Sequence, residues 1–175
     1  AQVGALRGLW IGPYFEDVFN ADAHQIGLAT LLMGAAMVAG TFAYGPLDRL
    51  AGSTKWVVVA GTTVNLLALC GLIFFPASGL ILATCLMAAI GFFGATYAVI
   101  IAHGRSFLPP HLIGRGMTLL NLCSIGGVGV AQFLSGRAFG ASQPAITAQA
   151  PYVVIFTLFA GMMAAGLFVY LFSRD

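Results

Sequence analysis

Long stretches without a formal charge constrain this chain more than any other feature of its sequence. These stretches are residues 25–47, 56–102, 116–136 and 151–173. An α-helix rises 1.5 Å per residue, so about 20 apolar residues span the hydrocarbon core of a bilayer. Three stretches are long enough for one span each, and 56–102 is long enough for two spans joined by a turn at Pro76 to Gly79. Strands of a membrane barrel would alternate polar and apolar residues, and these stretches do not.

Composition excludes a soluble globular domain. Only 7% of the residues are charged and 60% are hydrophobic, whereas a soluble domain carries about 25% charged residues. The net charge of +2 is too small to indicate nucleic-acid binding. Cys70, Cys85 and Cys123 lie inside apolar stretches without a CxxC motif or a Cys/His cluster, so we predict no metal site and no cofactor.

The sequence therefore predicts an all-α membrane protein, a single bundle of about six transmembrane helices over residues 1–175. We number the predicted segments one to six: about 1–19, 26–47, 56–75, 80–102, 116–136 and 151–172. The chain begins within an apolar segment and without an initiator Met, so we interpret it as part of a longer protein.

Basic residues predict an orientation, because they accumulate in the cytoplasmic loops of membrane proteins. With the N-terminus of segment one in the cytoplasm, five of the seven basic residues are cytoplasmic, which are Arg49, Lys55, Arg105, Arg115 and Arg174. Arg137 would be outside, next to an acidic connection with Glu16, Asp17 and Asp22. We expect both termini in the cytoplasm and the protein in the inner (cytoplasmic) membrane.

A short internal repeat is consistent with two inverted halves. The tetrapeptide His-Gln-Ile-Gly at 24–27 is followed by a Leu pair, and His-Leu-Ile-Gly at 111–114, 87 positions later, is followed by another. One copy would lie outside and the other inside, as an inverted 3+3 repeat requires. Matches this short also arise by coincidence in sequences rich in Leu and Gly.

Polar residues are confined to parts of the bundle. Segment five carries Asn121, Ser124, Gln132 and Ser135 on one face, and segment two carries Thr30, Met33, Met37, Thr41 and Tyr44. Both faces are predicted to line a cavity or to bond to another helix, whereas segment six should face lipid. Arg7 lies in an apolar run, where a charge usually faces a pathway or a counter-ion. The alternative is that Arg7 lies near the end of its helix and extends to the membrane surface.

Three motifs resemble the major facilitator superfamily of transporters. The sequence Gly-Pro-Leu-Asp-Arg-Leu-Ala-Gly-Ser-Thr-Lys at 45–55 is similar to the family's loop signature, G-x-L-x-D-R-x-G-R-K, but is one residue short before Asp48. Residues 8–14 followed by Asp17 look like the seventh helix of some bacterial members, and 109–121 like the loop that enters helix eleven. The resemblance covers the chain as helices seven to twelve.

This resemblance implies the C-terminal half of a secondary transporter that moves a small polar solute by alternating access, and Arg7 would favour an anionic group on that solute. The partners would be the lipid bilayer, an N-terminal six-helix half and the solute. Gly45, Asp48, Arg49 and Lys55 would form a gating loop. The candidates for substrate binding are Arg7, Trp10, Tyr14, Tyr97, Asn121 and Gln132.

Two other functions were weighed. The chain could be a non-transporting subunit or assembly factor that uses a transporter-like bundle within a larger membrane complex, with other membrane subunits as partners. An intramembrane enzyme is disfavoured, because such enzymes need a Ser–His pair or two buried Asp residues. The nearest histidines, His103 and His111, flank the connection between segments four and five, and no segment contains two Asp residues.

Overall fold

The structure is a computed structural model that describes residues 2–173, without the side chains of residues 48–51. The described residues contain helices and connections and no β-strand. The elements are α1 (Gln2–Ala5), a π-helical turn (Leu6–Trp10), α2 (Ile11–Phe19), α3 (Ala23–Ala51), α4 (Thr54–Phe74), α5 (Leu80–Gly94), α6 (Thr96–Ser106), a 3-10 turn (Pro110–Leu112), α7 (Ile113–Ala141) and α8 (Ala150–Leu171).

Five described helical stretches are long and apolar enough to cross a membrane, which confirms the prediction of an all-α, multi-pass membrane protein. They are Ala23–Leu47, Thr54–Phe74, Leu80–Ser106, Pro110–Ala141 and Ala150–Leu171, and they correspond to segments two to six. Segment one is also helical, but it is divided into α1, the π turn and α2. The structure does not test whether the bundle contains an inverted repeat.

Side chains at the helix ends explain where two of the long helices begin. Asp22 accepts a hydrogen bond of 2.8 Å from the backbone N–H of Gln25, and the Gln25 side chain accepts one of 3.0 Å from the N–H of Asp22. This reciprocal pair satisfies two N–H groups that have no partner inside α3. Ser53 caps α4 by accepting from the N–H of Trp56. Gly79 immediately precedes α5 and has a φ of +131°, a backbone conformation that residues with a side chain rarely adopt.

The helices differ from the predicted segments at two points. Segment two was expected to end at Leu47, as the membrane-spanning stretch does, but the helix α3 itself continues through Pro46 to Ala51. Segment four was expected to be one helix, but it is interrupted at Ala95. There the N–H of Ala95 bonds to the carbonyl of Phe92 and the N–H of Ala98 to the carbonyl of Ala95, so each bond spans three residues and not four. The hydroxyl of Thr96 also donates to the Phe93 carbonyl, so this side chain competes for a backbone acceptor at the interruption.

The closest helix packing is between α3 and α5, and it depends on glycines. A Cβ atom added at Gly91 would lie 2.6 Å from the carbonyl oxygen of Met33, and one added at Gly40 would overlap the carbonyl of Phe92. Glycines allow two helix backbones to approach this closely. Gly161 of α8 does not pack in this way, because an added Cβ there would meet nothing within 4 Å.

An aromatic cluster forms the centre of the bundle at the end that holds the α2–α3 connection. Its members are fully buried side chains from α2 and α8: Tyr14, Phe15, Tyr152, Phe156 and Phe159. The segment-six helix therefore has one side in the core, where lipid contact was predicted. On the predicted face of segment two, Met33 and Tyr44 are buried against Gly91 of α5 and Gly61 of α4, so at these residues the face packs on partner helices.

Candidate functional site

The π-helical turn in segment one places Arg7 on a wider helical turn than its neighbours. The N–H of Ile11 bonds to the carbonyl of Leu6, five residues earlier. The cause is Pro13, which has no N–H and whose ring crowds the carbonyl four residues before it, that of Leu9. Pro13 is visible in the sequence as a helix breaker, and the irregular turn lies about one turn before it. Single π turns of this kind are frequent at functional sites.

Arg7 extends across the surface of α3 at a glycine. A Cβ atom added at Gly34 would lie 3.1 Å from Nη2 of Arg7 and 3.6 Å from its Cζ. The missing side chain at Gly34 thus provides the space in which the guanidinium lies. Arg7 is exposed, and among the described residues it forms neither a hydrogen bond nor an ion pair. Its five N–H donors are therefore available to a group outside this bundle.

Gln132 of α7 lies on the other side of segment one at the same level. A Cβ atom added at Gly8, the residue after Arg7, would lie 3.5 Å from Nε2 of Gln132. The Gln132 side chain is half-buried and bonds to no described residue. Segment one thus has the Arg7 guanidinium on its α3 side and the Gln132 amide on its α7 side. We call Arg7, Gln132 and the two glycines, Gly8 and Gly34, the Arg7 site.

Three distances along the helices give the depth of the Arg7 site within the bundle. Glu16, at the acidic end of α2, is nine residues from Arg7, or about 14 Å along a helix. Gly34 is eleven residues from the start of α3, about 16 Å, and Gln132 is nine residues from the end of α7, about 14 Å. These reference points lie at one end of the bundle, and half of a ~30 Å hydrocarbon core is about 15 Å.

Trp10 and Tyr14 were predicted to bind substrate, but both are buried in the core of this bundle. The Trp10 indole donates a 2.8 Å hydrogen bond to the Ser135 hydroxyl, and its ring packs on Phe139. The Tyr14 hydroxyl donates a 2.7 Å bond to the carbonyl of Pro76 in the α4–α5 connection. Both side chains hold segment one in place, and neither faces the Arg7 site.

The other two predicted substrate residues lie elsewhere. Asn121 is exposed on α7, eleven residues from Gln132 and therefore about 16 Å away. Tyr97 is 52% exposed on α6, at the mouth of a second cavity that involves α4 and α8. Of the six predicted residues, Arg7 and Gln132 lie at one level of the bundle, on different sides of segment one.

The predicted gating residues lie around the α3–α4 connection. Gly45, Asp48 and Arg49 belong to the last turns of the α3 backbone, and the side chains of Asp48 and Arg49 are outside the described part of the chain. Lys55 is the second residue of α4, and its Nζ donates a 2.8 Å hydrogen bond to the carbonyl of Ser173. This bond connects the start of α4 with the chain after α8.

Sequence reasoning missed one polar residue in segment three. Asn65 is 2% exposed, and no partner for its side-chain oxygen exists within the described part of the chain. A single amide in an otherwise apolar run was the signal that could have found it, because a buried amide without partners is costly.

Comparisons of this chain with protein-family models, curated proteins and solved structures found no match.

Replacing Ser135 by alanine is expected to lower the free energy of unfolding by about 1–3 kcal/mol, because the buried Trp10 N–H would lose its acceptor. Thermal unfolding of the purified protein measures the effect. Ser124→Ala is the matched control, since Ser124 is on the same helix and bonds to no described residue. Equal melting temperatures for the two variants would show that the Trp10–Ser135 bond does not stabilise the bundle.

Proposed function

We propose that this chain is the C-terminal six-helix half of a secondary transporter, which moves a small polar solute with an anionic group by alternating access. The observation that carries the proposal is the Arg7 site, a charge in an otherwise apolar segment on an exposed face, without a partner among the described residues. A charged side chain within hydrocarbon is costly unless it is hydrated or paired. This face therefore needs water, a solute or another protein surface against it.

Helix burial supports the presence of a second bundle on the same face. In the most apolar window of α3, 17% of the residues are buried, and in that of α7 the share is 6%, compared with 28–33% in the other spans. These two helices flank segment one and the Arg7 site. In the transporter family that the 45–55 motif resembles, the corresponding helices border the central cavity and the other half.

The chemistry of the Arg7 site favours an anionic solute. A guanidinium offers two parallel N–H donors that match a carboxylate or a phosphate. Transporter sites commonly lie near the bilayer midplane between two repeats, at interrupted helices. The π turn that contains Arg7 interrupts the α-helix of segment one. Rocking of the two halves would open the site to each side of the membrane in turn.

Ligand screening of the complete protein tests this function. We expect small carboxylates or phosphate esters to raise the melting temperature of the purified protein, and the same compounds to accumulate in proteoliposomes that contain it. Stabilisation only by cations, or binding without uptake, would contradict the proposal. Isolation of the chain in a fixed ratio with unrelated membrane subunits, together with no uptake, would instead support the alternative of a non-transporting subunit.

The proposed orientation places the α3–α4 connection in the cytoplasm of a cell with an inner membrane, because basic residues are concentrated there. In a variant without native cysteines, Ser53→Cys is expected to react with an impermeant maleimide only after the membrane is opened. Ser78→Cys, in the connection between α4 and α5, is the matched control and should react in intact cells. The reverse pattern would show that the orientation is wrong.

A further inference from the structure

A second cavity lies away from the Arg7 site, where α4, α6 and α8 meet the start of segment one. Its volume is about 270 Å³, and residues from all four elements line it. Of the lining residues, Tyr97 and Gly166 are exposed, whereas Asn65 is 2% exposed. The cavity is thus open to the surroundings of the bundle, and a buried amide forms part of its wall.

The amide of Asn65 is left with an unused acceptor. Its Nδ2 donates a hydrogen bond of 3.4 Å to the carbonyl of Ile90, and this contact fixes which end of the amide faces α5. The side-chain oxygen is buried and has no partner in the part of the chain that the structure describes. The Thr96 hydroxyl, which also lines the cavity, already donates to the carbonyl of Phe93. A buried carbonyl without a donor costs free energy, so the site is complete only when a donor enters.

The other residues that line the cavity indicate which chemical groups the rest of the ligand carries. None of the described lining residues is charged, and Val58, Ile100, Met162 and Leu167 contribute apolar surface. A smaller apolar cavity, of about 150 Å³, holds benzene in another protein, so this volume admits an apolar body of that size or somewhat larger. A charged ligand would lose its hydration without a counter-charge.

We propose that this cavity binds a neutral alcohol, with the hydroxyl donating to Oδ1 of Asn65 and a compact apolar body against the methionine side of α8. A small free alcohol and the hydroxyl of a neutral lipid offer the same chemistry. The proposal uses neither Arg7 nor Gln132 and does not depend on the transport function.

Two isomeric probes test the hydroxyl requirement. We expect 4-fluorobenzyl alcohol to bind the purified protein saturably by ¹⁹F NMR, and 4-fluoroanisole, which has the same atoms but no O–H donor, to bind at least tenfold more weakly. Asn65→Leu should remove this preference. Equal affinity for the two isomers, or no saturable binding of either, would overturn the proposal.

A second variant keeps the test valid if Asn65→Leu does not fold. A Cβ added at Gly166 would meet nothing within 4 Å, so Gly166→Leu should fold normally and fill the cavity, and binding of the alcohol should be lost. Gly161→Leu is the matched control, because Gly161 is on the same helix, has the same open space and does not line the cavity. Retained binding in Gly166→Leu would overturn the proposal.

The source of the alcohol is distinguished by extraction of the wild-type and Gly166→Leu proteins with organic solvent, followed by mass spectrometry. A neutral lipid with a free hydroxyl that is enriched only with the wild-type protein would identify a lipid site. Saturable probe binding without such enrichment would identify a site for small free alcohols.

Discussion

Replacing Arg7 by glutamine in the complete protein is expected to reduce affinity for the anionic solute about 10- to 100-fold. Hydrogen bonds to a charged group contribute about 1.5–3 kcal/mol, and each 1.4 kcal/mol is a factor of ten. Arg7→Lys should recover only part of the loss, because an ammonium lacks the planar pair of donors. Binding and uptake of the solute identified by screening are the measurements.

The Arg7 variants should fold normally, since Arg7 bonds to no described residue of this bundle. Arg137→Gln is the matched control: Arg137 is an exposed arginine whose guanidinium lies 6.0 Å from the ring of Phe133, close to the end of α7. It should leave affinity unchanged. Normal affinity in both Arg7 variants, or a solute that proves to be cationic, would show that Arg7 does not bind substrate.

A single methyl group added at Gly40 is expected to destabilise the bundle more than any surface substitution. The new Cβ of Gly40→Ala would overlap the carbonyl of Phe92 and lie 2.9 Å from the Cβ of Ala95. The Phe92 carbonyl is backbone and the Ala95 side chain is a single methyl group, so neither can rotate out of the way. The helices α3 and α5 must therefore move apart. Overpacking of this kind costs about 1–3 kcal/mol, which thermal unfolding of the purified protein measures as a lower melting temperature.

Gly27→Ala is the matched control on the same helix, because an added Cβ there meets nothing within 4 Å. Its effect should be neutral or slightly stabilising, since alanine is the better helix former. Gly91→Ala should resemble Gly40→Ala, as its Cβ would lie 2.6 Å from the carbonyl oxygen of Met33. Equal melting temperatures for Gly40→Ala and Gly27→Ala would show that the contact between α3 and α5 is looser than described.

The sequence by itself determined the helices and their approximate lengths. Backbone N–H and C=O groups have no water to bond within hydrocarbon, so a long charge-free apolar stretch must form a helix there. The reciprocal hydrogen bonds between Asp22 and Gln25, which cap the start of α3, are local and also require no tertiary contact. The sequence further showed that Arg7 interrupts an apolar segment and that Pro13 would disturb its helix.

Only the tertiary structure decided which side of each helix is buried. In a soluble helix the apolar side identifies the core, but in a membrane the lipid and the core are both apolar, so the sequence pattern does not separate them. Trp10 and Arg7 are three residues apart in segment one, yet Trp10 is 5% exposed and bonded to Ser135, whereas Arg7 is exposed beside Gly34. That difference arises from how α3 and α7 pack around the π turn, and the sequence of segment one alone does not predict it.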